Sequence, residues 1–162
     1  MTPRVFTSPA GAAREIAGVI RHARALGDAV VRGRLSAHER ELVTVAVSRV
    51  NACAGCTFAH EQWALRAGVG DDELRALELG ELHNLDPRSR AAVLYATART
   101  ESRFHGPVPN EVAEAAQASL TPRELAAVEA TARAMTLANL SVNTSEALLV
   151  RLRRPEPAAG TR

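Results

Sequence analysis

Residues 39–68 read ERELVTVAVSRVNACAGCTFAHEQWALRAG, a stretch that predicts two helices separated by a short break. Ser36 and Glu39 have the spacing of a capping box, in which each side chain bonds the other residue's backbone at a helix start. The apolar residues that follow have the spacing of one helix face: Leu42, Val45, Ala46 and Val50. After the break VNAC, we expect a second helix from about Cys53 to Ala67, which Gly68 ends.

The chain on either side of this stretch also predicts helices. Ser and Asp caps and Pro at first helical positions mark most of the starts. We expect helices from Pro9 to about Gly33, Asp71 to Leu79, Pro87 onward, after the turn GPVPNEV to Ser119, and from Pro122 to about Asn139, with a last helical segment SEALLVRL. Because no segment alternates apolar and polar residues, the sequence predicts an all-α bundle of about six to eight helices.

The length of 162 residues fits one domain with its own core. We expect this single domain to cover residues 1–152. Residues 153–162 read RRPEPAAGTR. They are rich in proline and polar residues and are expected to be a disordered tail.

The composition argues against several classes of function. All 20 basic residues other than histidine are arginines, and they alternate with acidic residues, so no basic stripe predicts a nucleic-acid surface. The chain shows no signal-peptide pattern and no apolar run of membrane-spanning length, so we expect a cytoplasmic protein without a membrane partner. The cytosol keeps ordinary thiols reduced, and a close cysteine pair there indicates catalysis, redox cycling or metal binding.

Cys53, Cys56 and His60 lie three and four residues apart, which places them on one face of the predicted second helix. Unpaired N–H groups and the helix dipole at its start lower the pKa of a thiol, and the thiolate is the competent nucleophile. The imidazole one turn later can accept the thiol proton, and a second thiol can capture a sulfenic acid as a disulfide. Glu41 lies on the preceding helix and faces the same site if the two helices pack antiparallel, where it would orient the imidazole.

The pattern Glu41, eleven residues, Cys53, two residues, Cys56, three residues, His60 resembles the signature of the alkylhydroperoxidase D family, within the carboxymuconolactone decarboxylase superfamily. The resemblance covers residues 35–80 and extends weakly through the later helices. It implies an all-helical fold, a homo-oligomer (trimer or hexamer), and reduction of organic hydroperoxides or hydrogen peroxide. No tightly bound cofactor is implied. The electron donor would be an external dithiol protein, such as one that carries a dihydrolipoyl group.

Carried over by position, the resemblance makes Cys56 the thiol that attacks peroxide and Cys53 the resolving thiol. It makes His60 the base and Glu41 the far end of its proton relay. Two departures bear on turnover and on the donor. Some members have a histidine between the cysteines, where this chain has Ala54 and Gly55, and founding members carry the motif in the second half of the chain.

Three alternatives stay open at this point. A zinc site could use Cys53, Cys56 and His60, although a structural site needs a fourth ligand. The same residues could form a redox sensor without useful turnover. A decarboxylase-like enzyme on the same fold would not need the thiols, and most decarboxylases of the superfamily lack the cysteine pair.

Other residues with reactive side chains are assigned to the surface or the core. The remaining histidines are predicted to be solvated: His22, His38, His83 and His105. Trp63 is predicted to lie in the core or at a subunit interface. Glu61 points about 100° away from its neighbour His60 and is left out of the site.

Overall fold

The computed structural model describes residues 2–153, and these residues form eight α-helices, one short 3-10 helix and no strand. The helices are α1 (Pro9–Arg21), α2 (Ala23–Val30), α3 (Ala37–Val50), α4 (Ala54–Arg66), α5 (Asp71–Leu79), α6 (Pro87–Glu101), α7 (Asn110–Ser119) and α8 (Pro122–Arg153), with the 3-10 helix Leu82–Asn84 between α5 and α6. The prediction of an all-α fold is confirmed. None of the helices within residues 2–153 is both long and apolar enough to cross a bilayer.

The predicted helix starts agree with the caps in the structure. Ser36 and Glu39 form the capping box of α3, since each side chain bonds the backbone N–H of the other residue. Ser8 caps α1 and Asp86 caps α6, each with proline in the following first turn. These local signals lie within four residues of the helix start, which is why the sequence alone predicts them.

Two helix boundaries differ from the prediction. The first predicted helix is divided at His22, which ends α1 and precedes α2. At the other end, α8 does not stop near Asn139 but continues to Arg153, the last described residue. Buried partners explain this continuation, because Asn139 is fully buried near Ser48 and Asn143 donates to the backbone oxygen of Asn51. Of the expected tail, residues 154–162 lie outside the described residues.

Helix α3 is the centre of the fold and packs against α4, α6 and α8. Every residue from 41 to 48 is buried, so this helix has no solvent face in its middle. Two apolar clusters flank it. One contains Val43 and Val47 with both cysteines, and the other contains Leu42 and Val45.

The contacts between α3 and α4 define an antiparallel register. Glu41, near the start of α3, contacts His60 in the middle of α4. At the other end, the backbone N–H of Cys53 donates to the carbonyl oxygen of Ser48 at 3.0 Å. Residue numbers therefore rise along α3 as they fall along α4, which is the arrangement that brings Glu41 to the face carrying His60.

Candidate active site

The two cysteines form a disulfide at the start of α4. Cys53 is the residue that precedes the helix, Cys56 lies in its first turn, and their Cα atoms are 5.3 Å apart. Only 1% of Cys53 and 9% of Cys56 is exposed. The structure therefore shows the oxidised form of the pair, with Cys56 the more accessible of the two sulfur-bearing residues.

The turn that presents this disulfide contains a backbone conformation unusual for its residue. Ala52 has φ 51°, in the left-handed region that favours glycine. It follows Asn51 at the end of α3 and precedes Cys53, so the chain reverses direction within three residues. This tight reversal places the cysteine pair directly beside the end of α3.

Glu41 and His60 form a hydrogen-bonded pair across the two helices. His60 Nδ1 lies 2.9 Å from Glu41 Oε2, and the two side chains are 15% and 10% exposed. The Thr44 hydroxyl lies 3.1 Å from His60 Nδ1 and 3.2 Å from Glu41 Oε2. With Nδ1 donating to the carboxylate, Nε2 is the ring nitrogen left for proton transfer.

Glu41 remains ionised in this setting. Burial alone would raise the pKa of its carboxyl. The hydrogen bond from His60, the charge of that imidazole, the Thr44 hydroxyl and the Arg40 guanidinium together outweigh burial and lower the pKa below its ordinary value. A carboxylate that stays charged beside an imidazole holds the ring in one orientation and stabilises its protonated form.

A cleft of about 300 Å³ opens beside this pair and is called the Glu41–His60 cleft below. Its lining residues are Leu26, Arg40, Glu41, Thr44, His60, Trp63, Thr131, Ala134, Met135 and Ala138. Most of its surface is apolar, and its polar groups converge at Glu41, Thr44 and His60. This combination of an apolar wall and a few polar groups is typical of small-molecule sites.

The disulfide lies next to this cleft but does not line it. Neither cysteine is among the lining residues, and no hydrogen bond within residues 2–153 joins His60 to a sulfur atom. Met135 connects the two regions, since it lines the cleft and belongs to the buried cluster that contains both cysteines. The structure thus brings Glu41 to His60 and Cys53 to Cys56, as two adjacent pairs.

Thr44 was missed by the sequence reasoning, although a signal was present. It lies three residues after Glu41 in a helix whose other nearby residues are apolar, and a polar residue at that spacing shares a face with Glu41. Glu61 pairs with Arg49 at 2.6 Å and stays outside the site, as predicted.

Trp63 is half exposed and meets His60 edge to face with ring centres 4.8 Å apart, so of its two predicted positions the core is excluded and a subunit interface stays a prediction. Two of the other predictions need correction. His38 and His22 are not freely solvated. His38 contacts Glu73 at 2.9 Å, and His22 donates to the Gly18 carbonyl oxygen at 2.8 Å.

The residues of the zinc alternative do not assemble into a ligand set. Within residues 2–153, no group of three or more His, Cys, Asp or Glu side chains is arranged to hold a metal ion. In the oxidised form both sulfur atoms are committed to the disulfide.

The comparisons with known proteins are consistent with this site. A model of the carboxymuconolactone decarboxylase family matches residues 17–98. The matched region runs from α1 into α6 and contains both cysteines with Glu41 and His60. Comparison with curated protein sequences gives no match.

Proposed function

The chain belongs to the carboxymuconolactone decarboxylase family, and on that premise we propose that it is a thiol-dependent peroxidase of the alkylhydroperoxidase D type. The observation that carries the proposal is the Cys53–Cys56 disulfide beside the Glu41–His60 pair. A disulfide between cysteines three residues apart at a helix start is the product expected of such a cycle. The Glu41–His60 pair supplies the acid–base group that the cycle needs.

The proposed reaction begins with the reduced pair. The Cys56 thiolate attacks the terminal oxygen of a hydroperoxide, the O–O bond breaks, and the alcohol leaves with one proton. Cys56 is then a sulfenic acid. The Cys53 thiol attacks that sulfur, water leaves, and the disulfide forms. One hydroperoxide and two thiols have become one alcohol, one water and one disulfide.

The geometry supports a division of roles among the four residues. Cys56 is the more exposed cysteine, which favours it as the thiol that meets peroxide, and Cys53 as the resolver. His60 would accept the Cys56 proton through Nε2 and return it to the leaving alkoxide. Glu41 accepts a hydrogen bond from Nδ1, the other ring nitrogen. Its charge stabilises the imidazolium that forms between the two proton transfers.

The surroundings support a substrate class and an assembly. The mainly apolar wall of the Glu41–His60 cleft favours an organic hydroperoxide with an apolar body. Three apolar side chains on α4 are exposed: Phe58, Trp63 and Leu65. We propose that a homo-oligomer, a trimer or a hexamer, covers them. An external dithiol protein in the cytoplasm would return the disulfide to two thiols.

A second candidate function rests on one observation. Glu41, Thr44 and His60 line the cleft and neither cysteine does, so a small acid bound there would meet an acid–base pair without meeting a thiol. That arrangement fits a decarboxylase-like or isomerase reaction on the same fold. Such an enzyme would keep its activity when both cysteines are replaced.

The test of the peroxidase proposal is a thiol count. Reduced protein would receive one equivalent of cumene hydroperoxide, followed by thiol titration and intact-mass measurement, beside Cys53→Ser and Cys56→Ser. We expect loss of two hydrogens in the unmodified protein, a trapped oxidised thiol in Cys53→Ser, and no reaction in Cys56→Ser. If both thiols remain free while circular dichroism shows folded protein, the proposal is wrong.

A further inference from the structure

A second cleft, of about 490 Å³, lies where the end of α1, the helix α2 and the start of α8 meet. Its lining residues are Arg21, His22, Arg24, Ala25, Asp28, Arg32, Arg123 and Ala126. Four arginines and one aspartate give this surface, called the arginine cleft below, an excess of positive charge. A surface of this kind attracts an anionic partner.

Three of the four arginines have no acidic partner among the residues that the structure describes. Arg32 pairs with Asp28 at 2.9 Å. Within residues 2–153, no carboxylate lies within 4.0 Å of the guanidinium nitrogens of Arg21, Arg24 or Arg123. These three cations are exposed and converge on one concave surface. Their hydrogen-bonding capacity is therefore open to a ligand.

Several arginines elsewhere in the fold are paired with carboxylates. Arg49 pairs with Glu61, and Arg88 pairs with Glu124. Arg133 pairs with Glu129. Arg75, Arg90 and Arg103 also lack such a partner within residues 2–153. The arginine cleft differs because three unpaired cations line one concave surface.

One lining residue of the arginine cleft, His22, is held in place by its neighbours. His22 Nδ1 donates to the Gly18 carbonyl oxygen, and its Nε2 lies 3.9 Å from Glu129 Oε1. Glu129 in turn accepts hydrogen bonds from Arg99 and Arg133. This partly buried network therefore fixes the position of His22, which lines the arginine cleft.

The arginine cleft and the Glu41–His60 cleft are adjacent. Both are formed by α2 and α8, which pack against each other. Consecutive residues of α2 line the two clefts, Ala25 the first and Leu26 the second. On α8, Ala126 lines the first and Thr131 the second. Five residues of α-helix correspond to about 7.5 Å along the axis.

We propose that the arginine cleft docks an acidic segment of the protein that carries the reducing dithiol. This inference rests on the proposed function. The cysteines are 1% and 9% exposed, so random collisions seldom bring a thiolate to the disulfide. Holding the donor in the arginine cleft, which adjoins the Glu41–His60 cleft, raises the local concentration of its dithiol. Charge attraction also accelerates the encounter. Arginine forks match the geometry of carboxylates.

The two thiols of the donor are sufficient to reduce the Cys53–Cys56 disulfide. One thiolate of the donor attacks the sulfur of Cys56, the bond to Cys53 breaks, and Cys53 leaves as a thiolate. The second thiol of the donor then attacks the mixed disulfide and releases Cys56. Two electrons and two protons pass to the protein, and the donor becomes a disulfide.

The lining of the arginine cleft favours an acidic protein over a nucleic acid. No phenylalanine, tyrosine or tryptophan lines it, and single-stranded nucleic acids are held by stacking on aromatic side chains along a basic groove. The carboxylates of an acidic protein, in contrast, can pair with the arginine side chains that line the cleft.

The test uses two synthetic peptides that carry a dihydrolipoyl-lysine, one with flanking glutamates and one with flanking glutamines. Their rates of reducing the disulfide would be measured by stopped flow at low salt, with dithiothreitol as a small, uncharged dithiol. We expect the acidic peptide to react about tenfold faster than the neutral one. High salt should remove the difference because it screens exposed charges.

The variants separate docking from chemistry. The triple change Arg21→Gln, Arg24→Gln, Arg123→Gln should abolish the advantage of the acidic peptide and leave the dithiothreitol rate unchanged. A matched triple change elsewhere, Arg75→Gln, Arg90→Gln, Arg103→Gln, should keep it. Equal rates for the two peptides with unmodified protein, or equal losses in both triple variants, overturn the docking proposal.

Two further outcomes are distinguishable. If dithiothreitol sustains peroxide consumption but the peptides react equally, the proposed function stands and docking alone fails. If dithiothreitol sustains no peroxide consumption, both fail. A fluorescent single-stranded oligonucleotide that binds the unmodified protein and not the first triple variant, without a rate advantage for the acidic peptide, assigns the cleft to nucleic acid and overturns the proposal.

Discussion

His60 Nδ1 lies 2.9 Å from Glu41 Oε2, and this contact joins residues of two helices nineteen positions apart in the chain. Both side chains are largely buried, so the pair exists in a setting where charge interactions are stronger than in water. The carboxylate thereby holds the imidazole through Nδ1, and Nε2 is the ring nitrogen left for proton transfer.

Replacing Glu41 with glutamine should lower the rate of peroxide reduction by about a hundredfold, because general acid–base catalysis by an oriented group contributes roughly that much. The amide keeps the shape of the carboxylate and removes the charge that stabilises the imidazolium. The measurement is peroxide consumption with dithiothreitol as reductant. Glu61→Gln is the matched control, since Glu61 neighbours His60 but pairs with Arg49. Equal rates in the two variants would remove Glu41 from the mechanism.

Replacing Thr44 with valine should shift the acid limb of the pH–rate profile to higher pH. The Thr44 hydroxyl is one of the groups that lower the pKa of Glu41, so its loss raises that pKa and Glu41 becomes protonated at a higher pH. The control is Thr100→Val, because Thr100 is also buried but its hydroxyl donates to the Ala96 carbonyl oxygen on α6, away from Glu41 and His60. An unchanged acid limb in Thr44→Val would mean that this hydroxyl has no part in the relay.

Replacing Glu129 with glutamine should lower the free energy of unfolding at neutral pH by about 3 kcal/mol, since it leaves partly buried arginines without their counter-charge. Burial raises the pKa of Glu129, but Arg99 and Arg133 outweigh it and lower the pKa. The stabilisation is therefore present above the ordinary carboxyl pKa and is lost as the pH falls through the lowered value. Urea unfolding at several pH values should show the difference from the unmodified protein shrinking in acid. Glu146→Gln, at an exposed position, should change little.

The single tyrosine of the chain reports on the same network. Burial, the charge of Glu129 and a hydrogen bond to its carboxylate raise the pKa of Tyr95 to about 12. We expect ultraviolet titration of the tyrosinate to give a value near that, and a lower value in Glu129→Gln. A tyrosine that titrates at its ordinary pKa in the folded protein would contradict the Tyr95–Glu129 contact.

Ala52 should respond to substitution according to backbone conformation. The left-handed region costs an ordinary L-residue roughly 1 kcal/mol, and a β-branched side chain more. Ala52→Val should therefore destabilise the fold by about 1–2 kcal/mol. Ala52→Gly should be neutral or stabilising by less than about 1 kcal/mol, because relief of strain is partly offset by chain entropy. Thermal unfolding of both variants, each in reduced and oxidised form, checks this order.

The helix starts could be predicted because their causes are local. The Ser36–Glu39 capping box and the Asp86–Pro87 start depend on residues within one turn of each other. The continuation of α8 past Asn139 could not be predicted in that way. It depends on partners such as Ser48, ninety-one residues away, that accommodate a buried asparagine.

For the candidate site, residue spacing and the family resemblance together identified Glu41, Cys53, Cys56 and His60, and their catalytic roles stay predictions. The structure added Thr44, the edge contact of Trp63 and the cleft itself. It also showed that the cysteine pair lies next to the cleft without lining it.

The sequence by itself determined the all-helical fold, most helix starts and the placement of Cys56 and His60 one turn apart on one helix, with Cys53 just before it. Helical period and caps act over three or four residues, and that range is visible in a string of letters. Only the tertiary structure decided that Glu41 reaches His60 and that the cations of the arginine cleft converge. Those contacts depend on the register in which helices pack, and that register is settled by the burial of side chains from the whole chain.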